Sequence, residues 1–262
     1  GLITEDDTDG VKLTFGNAEA MVQMVELIAR RQGIGNLLAE GTMRAAKGIG
    51  KGSEQFAVHV KGQELPMHEP RVKRGMGVAY ATSPTGAEHM MSIHDTALMR
   101  EGEGLEKARR LAGPLEPMAP YDLGPDKVRA MTFSNHWQSF RNCLDMCFHL
   151  PYDIDQIIEM VRAATGWDVT LSELIRAGER ATTMARAFNI GQGLTAAADC
   201  LPPRIYAPHT IGPHAGNSPN PEEVASAIRL YYNLMRWDDR TGVPTEAKLQ
   251  ELGIGWAASL LS

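Results

Sequence analysis

The sequence has only three cysteines in 262 residues, Cys143, Cys147 and Cys200. That excludes a secreted domain built on disulfides and fits a reducing, cytoplasmic setting. No apolar run approaches the roughly 20 residues of a membrane-spanning helix, and no signal peptide opens the chain. There is no basic block, and the net charge is −6. The electrostatic case for binding nucleic acid is therefore missing. Strand signals are sparse, and no repeat or low-complexity tract is visible. The chain also lacks an initiator Met. It opens on the polar, turn-rich "GLITEDDTDG", and the expectation is a piece of a longer protein.

What is present is material for a core, 43% hydrophobic residues, and helical periodicity. The pattern predicts a mainly α fold. Residues 17–31 read as a helix capped by Asn17, with Met21, Met24, Val25 and Ile28 on one face. A second helix is expected from about Asn36 to Lys47, ended by "GIGKGS". Those glycines do not make a phosphate loop, because no strand pattern precedes them and no long helix follows. "QFAVHV" at 55–60 alternates like a short strand. Residues 61–100 read as one long irregular region with three histidines, and such loops are often functional. Helices resume at about 103–112 and 125–139. Asp153 caps the next one, and Thr170 with Glu173 forms a capping box for another. A Pro-rich stretch leads to a last helix pair at about 221–235 and 245–252, the latter capped by Thr245.

Two groups of residues carry chemistry. "RNCLDMCFHLPYD", residues 141–153, puts Cys143 and Cys147 one helical turn apart, with His136 and His149 near in sequence. Small buried thiols at a helix end are one reading. A self-contained zinc site is another, although the usual short-spaced pairs are absent. "HEPR" and "GAEH" bring His68, Glu69, Glu88, His89, His94 and Asp95 into one stretch. These can ligate a metal, act as an acid/base pair, or simply be solvated. The 14 methionines fall at helical spacing and read as core packing.

The run from "EAMVQMVELIARRQGIGNLLAEGTMRAAKGIGKGSEQFAVHVKGQELPMHEPR" through "GVAYATSPTGAEH", "RAFN", "LPPR" and "YYNLMRWDDRTGVPTEAKLQELGI" resembles the tungsten-containing aldehyde ferredoxin oxidoreductase family. The likeness runs in consistent order from about residue 1 to 255. It implies a multi-helical, C-terminal two-domain portion of such an enzyme. Residues 1–62 would end a middle helical domain, and 63–262 would form a C-terminal domain with the cofactor contacts. The family's β domain, its CxxCxxxC motif and its first pterin motif have no counterpart here. The cofactors implied are a tungsten bis-pterin (molybdopterin type) and a 4Fe-4S cluster. The reaction implied is oxidation of an aldehyde to a carboxylic acid. Ferredoxin or another electron carrier would be the partner, alongside the N-terminal part of the same protein and further copies of it in a homo-oligomer. Reduction of an aromatic acyl thioester of the benzoyl-CoA type is the alternative chemistry, and a cofactor-free helical scaffold is the non-enzymatic one.

The resemblance also assigns residues. Cys147 matches the last position of the family's DxxGLC motif, the fourth cluster ligand, while Cys143 matches a position not used for ligation. Asn142, Leu144, Asp145 and Met146 would contact the pterin. His89 matches a histidine beside the metal, where it would donate a hydrogen bond or move a proton, with Glu88 as a residue that could orient it. Three departures stand out. Asn142 replaces an acid, Asp145 replaces a glycine, and "FNIGQG" puts Gly191 and Gln192 where the family has Arg and Glu.

Overall fold

The computed structural model describes residues 2–261 and is mainly α and multi-helical. Among the described residues the only sheet is one small hairpin, and no helix is long and apolar enough to cross a membrane.

The N-terminal part carries α1 (Ala18–Arg30), α2 (Ile34–Leu38) and α3 (Thr42–Ile49). Asn17 caps α1 as expected, its side chain accepting from Ala20 N at 3.1 Å. The buried face differs from the expectation. Ala20 and Met24 pack with Leu27, Ile34 and Leu38, whereas Met21 and Val25 are exposed. The helix is rotated because its partners lie on α2 and at Val11. The second expected helix is broken in two at Gly41, whose φ of 87° suits glycine.

The expected strand at 55–60 begins instead in a 3-10 turn, Ser53–Phe56. Only β1 (His59–Val60) pairs, antiparallel to β2 (Gln63–Glu64). Nor is 61–100 wholly irregular. It contains α4 (Arg74–Thr82), buried over most of its length. Two glycines and a β-branched Val give "RGMGVAYAT" weak intrinsic helicity, and tertiary packing makes the helix. Met76, Val78 and Tyr80 join Val128, Met131, Ile228 and Tyr231 in the largest apolar cluster. Each such side chain, fully buried, contributes about 1.5–3 kcal/mol.

The remaining helices are α5 (Glu103–Ala112), α6 (Pro125–Cys143), α7 (Ile154–Thr165), α8 (Leu171–Gly191), α9 (Pro221–Leu234) and α10 (Glu246–Glu251). The capping boxes at Asp153–Gln156 and Thr170–Glu173 form, and Thr245 caps α10. α6 is the axle of the molecule, packed by α4, α5, α8 and α9. α8 lies so close to it that a Cβ on Gly178 would sit 1.8 Å from the His136 carbonyl oxygen. Ser139 and Thr182 share a buried hydrogen bond across the same contact, 2.9 Å.

Candidate functional site

The fold gathers the three histidines of the 61–100 region. The rings of His68 and His94 meet edge to face at 4.4 Å, and His68 and His89 lie 4.9 Å apart. Lys73, at the N-terminal edge of α4, reaches two of the three, His68 and His94. Its Nζ lies 3.3 Å from His68 Nδ1 and 3.0 Å from His94 Nδ1. Burial, then the Lys73 charge, then His68 and His89, push His94 down to about 4. Burial, followed by Lys73 and His89, also lowers His68, and burial lowers Lys73 itself. His94 is therefore a neutral imidazole near pH 7. His89 makes ring contacts with both partners but has no hydrogen bond among the described residues, so its ring nitrogens are free for a ligand. Glu88 does not reach His89. Its carboxylate accepts from Met90 N–H and closes the turn instead.

The scaffold under this face is buried and specific. Asp95 accepts from Gly75 N at 2.9 Å and Met76 N at 3.0 Å. It thereby satisfies the orphan donors at the start of α4 and favours the helix dipole. Lys127 Nζ, almost wholly buried, pairs with the same carboxylate at 2.9 Å and donates to Ala119 O. From the other side Asn189, in "RAFN", donates to Pro84 O at 2.8 Å. This holds the loop that leads to His89. Glu69, by contrast, is spent on Arg71.

The cysteine stretch is arranged otherwise than the helical spacing suggests. α6 runs four residues past its expected end and stops at Cys143, so Cys147 lies on the following loop, off the helix face. Neither thiol is buried; Cys143, Cys147 and Cys200 are all free and exposed. The zinc reading fails on geometry as well. His136 is 3% exposed, with Nε2 3.0 Å from Met235 Sδ, and His149 packs edge-on against Phe148. Among the described residues no group of three or more His, Cys, Asp or Glu is placed to hold a metal ion. Arg141 tethers the loop, Nη2 donating to Cys147 O at 2.8 Å and Phe148 O at 3.3 Å. Asn142, Leu144 and Asp145 are exposed and Met146 is half-buried. Asp145 adopts φ 52°, the left-handed region that glycine favours and Asp tolerates. The backbone there is glycine-like, at the position where the resemblance expects a glycine.

Sequence reasoning missed one further polar centre. Asp199, wholly buried, binds Lys61 at 2.8 Å and Arg186 at 2.7 Å and accepts from Tyr232 OH. Arg186 stacks over Trp237 at 5.4 Å and donates to Gly242 O. The network clamps the β1–β2 turn to α8 and α9. The only sequence hint was an Arg in the apolar half of "MARAFN". The Gly191 departure also has a structural partner. A Cβ there would lie 2.8 Å from Leu260 O, so the C-terminal segment occupies the approach a side chain would need.

The family described as aldehyde ferredoxin oxidoreductase, domains 2 and 3, matches residues 1–254. The chain belongs to that family. The tungsten-containing aldehyde ferredoxin oxidoreductase of Pyrococcus furiosus is 30% identical over 254 residues, covering 95% of this chain and 39% of that protein. The enzyme of the same name from Pyrococcus abyssi is 31% identical, covering 97% and 40%. An aliphatic sulfonate oxidoreductase, WOR-like subunit, of Pyrococcus furiosus is 29% identical, covering 98% and 38%. The chain thus spans about two fifths of the length of these relatives. In fold it is similar to the active-site complex BamBC of benzoyl coenzyme A reductase with 1,5-dienoyl-CoA. The TM-score is 0.71 at 23% identity, over 99% of this chain and 42% of the other.

The relatives are named as tungsten-containing enzymes, and the residues present test the fit only for an iron–sulfur ligand. An exposed, free thiol on a tethered loop can serve as a cluster ligand. One such thiol cannot hold a cluster by itself, so further ligands would come from outside the described residues.

Proposed function

We propose that this chain is the helical, cofactor-contacting part of a tungsten oxidoreductase that converts an aldehyde and water to a carboxylic acid. A 4Fe-4S cluster, with Cys147 as one ligand, would supply the route for the two electrons to ferredoxin or another carrier. The observation that carries this reading is His89. Its imidazole has no hydrogen bond and stands beside the neutral His94 on a buried scaffold.

When bound, the tungsten pterin would supply the two-electron acceptor and the cluster would relay the electrons one at a time. The chain's own part is positional and protonic. His89 would take a proton from the attacking water at a ring nitrogen, or donate a hydrogen bond to the carbonyl oxygen of the substrate. Lys73 fixes His68 and His94 by their Nδ1 atoms, so the ring beside His89 is preorganised. Asn142, Leu144, Asp145 and Met146 would present the loop to the pterin, and the Cys147 thiolate would complete the cluster. Asn142 and Asp145 give that loop one amide and one carboxylate, with amide donors and carboxylate acceptors for a ring edge.

The test is made on the full-length protein, purified without oxygen. Tungsten and iron content is measured, followed by aldehyde-dependent reduction of ferredoxin. Bound tungsten, about four irons per chain and aldehyde turnover support the reading. Acyl-thioester reduction without aldehyde oxidation would keep the cofactors and replace the reaction. A protein that binds neither metal would be a scaffold.

A further inference from the structure

Between α5, α6 and the 92–97 segment lies a cavity of about 180 Å³. Its walls include Ile93, Ala97, Leu111, Trp137 and Phe148, and they are mostly apolar. Five polar residues interrupt them: Ser92, His94, Lys107, Ser134 and Gln138. Ser134 Oγ and Trp137 Nε1 are buried without a hydrogen-bond partner. Buried polar groups are nearly always partnered, so both mark this wall as incomplete.

The charges are more telling. Lys107 makes no hydrogen bond or ion pair among the described residues. Burial lowers its pKa, and the neighbouring Arg141 lowers it further, while Glu103 attracts it only from beyond ion-pair range. Arg141 is 3% exposed, and its donors reach only neutral oxygens, on Gln138, Cys147 and Phe148. Two cations are therefore half-buried or buried here without a carboxylate. Buried charges are normally paired. Of the two, Lys107 lines the cavity, which holds the volume in which its partner would sit, and Arg141 adds positive charge from behind the wall.

We propose that the cavity binds a small monocarboxylate, its charge paired with Lys107 and its short apolar tail packed on Trp137 and Phe148. The walls decide the class. A bare inorganic anion leaves the apolar surface uncovered, and a neutral molecule leaves Lys107 unpaired. The volume decides the size. At about 30 Å³ of liquid per water the space equals on the order of six waters, which matches the roughly six heavy atoms of butyrate. The site needs no tungsten and stands apart from the redox reading, although His94 belongs to both.

The test is calorimetric titration of the full-length protein with butyrate, butyramide and chloride. Butyrate should bind saturably at about 1 mM or tighter, with butyramide and chloride at least about 10-fold weaker. Lys107→Met should weaken butyrate about 10-fold or more without lowering the unfolding midpoint, since it removes an unpaired buried cation rather than a structural contact. Should that variant fail to fold, Ala97→Leu keeps both charges and fills the space, and it should abolish binding. Equal affinity for butyrate and butyramide overturns the proposal, as does unchanged butyrate binding in either variant. Binding of butyrate by tungsten-free protein supports the pocket alone. Metal-loaded, active protein that ignores butyrate overturns the pocket and leaves the redox reading in place.

Discussion

His68, His89 and His94 are gathered by separate turns of chain over a scaffold that is buried and fully paired. Cys143 and Cys147 hang from the end of one helix, with both thiols in solvent and one arginine holding the loop. The first arrangement is positioned by this chain alone. Asp95 and Lys127 anchor it from below, and Asn189 from the side. The second is positioned only in part. Its backbone is set by Arg141 and by the left-handed Asp145, while most of its side chains are exposed. Imidazoles held over a buried scaffold and an exposed cysteine loop make different demands on the core. Perturbing one region should therefore leave the other intact.

The largest expected effect breaks the first region from beneath. Asp95→Ala removes the anchor of α4 and leaves Lys127 buried and unpaired. The cost should be about 3–5 kcal/mol, read by denaturant unfolding. Adding Lys127→Met should recover much of it, because the stranded charge is then gone. A loss below about 1 kcal/mol would mean that the pair does not hold the histidine face.

His89→Ala comes next. It should cut turnover on the order of 100-fold with the unfolding midpoint and metal content unchanged. Normal turnover would take His89 out of the chemistry and leave the cluster of imidazoles as packing.

Acid should strike the core around the first region before the cysteine loop. Burial, then Lys248, holds His136 down to about 3, and His94 is held to about 4, against 6.5 for a free histidine. Both fold best when neutral. Their contribution is present above pH 6.5 and is lost as pH falls through the window toward 4 and 3. His136 should add up to about 1.4 kcal/mol per pH unit to that loss, and the part-exposed His94 less. Unfolding measured between pH 7 and 4 checks this. His136→Gln should flatten the slope, and an unchanged slope would contradict the assignment.

How far the sequence revealed these regions follows from what periodicity can see. Caps at Asn17, Asp153, Thr170 and Thr245 are local hydrogen bonds written in adjacent residues, and all four form. α4 is not legible, because its helicity comes from a carboxylate some twenty residues downstream. The end of α6 is not legible either. "TFSNHWQSF" looks polar, yet it is buried over almost its whole length, with Ser139 bonded to Thr182 on α8, a neighbour that the local sequence does not name. The histidines were found as residue types in one stretch. Lys73, which ties two of them together, carried no signal beyond being a lysine. The exposed cysteines ran against composition, since free cysteine is usually buried. Only the family likeness pointed to Cys147 rather than Cys143.

The smallest effect sharpens the second region. Asp145→Gly should raise stability by roughly 0.5–1 kcal/mol by relieving a left-handed residue, with no change at the histidines. A clear loss would show that the Asp145 side chain makes a contact worth more than the backbone strain.

The central proposal, that this chain supplies one cluster ligand and a proton-handling histidine to a tungsten enzyme, is tested most directly by iron. Iron per protein and the cluster's EPR signal are measured in full-length Cys143→Ser, Cys147→Ser and Cys200→Ser. The account predicts that Cys147→Ser alone loses or strongly alters the cluster, since a hydroxyl replaces thiolate poorly, while the other two keep about four irons. A Cys147→Ser protein with a normal cluster would contradict it, and loss of the cluster in Cys143→Ser would move the ligand back onto the last turn of α6.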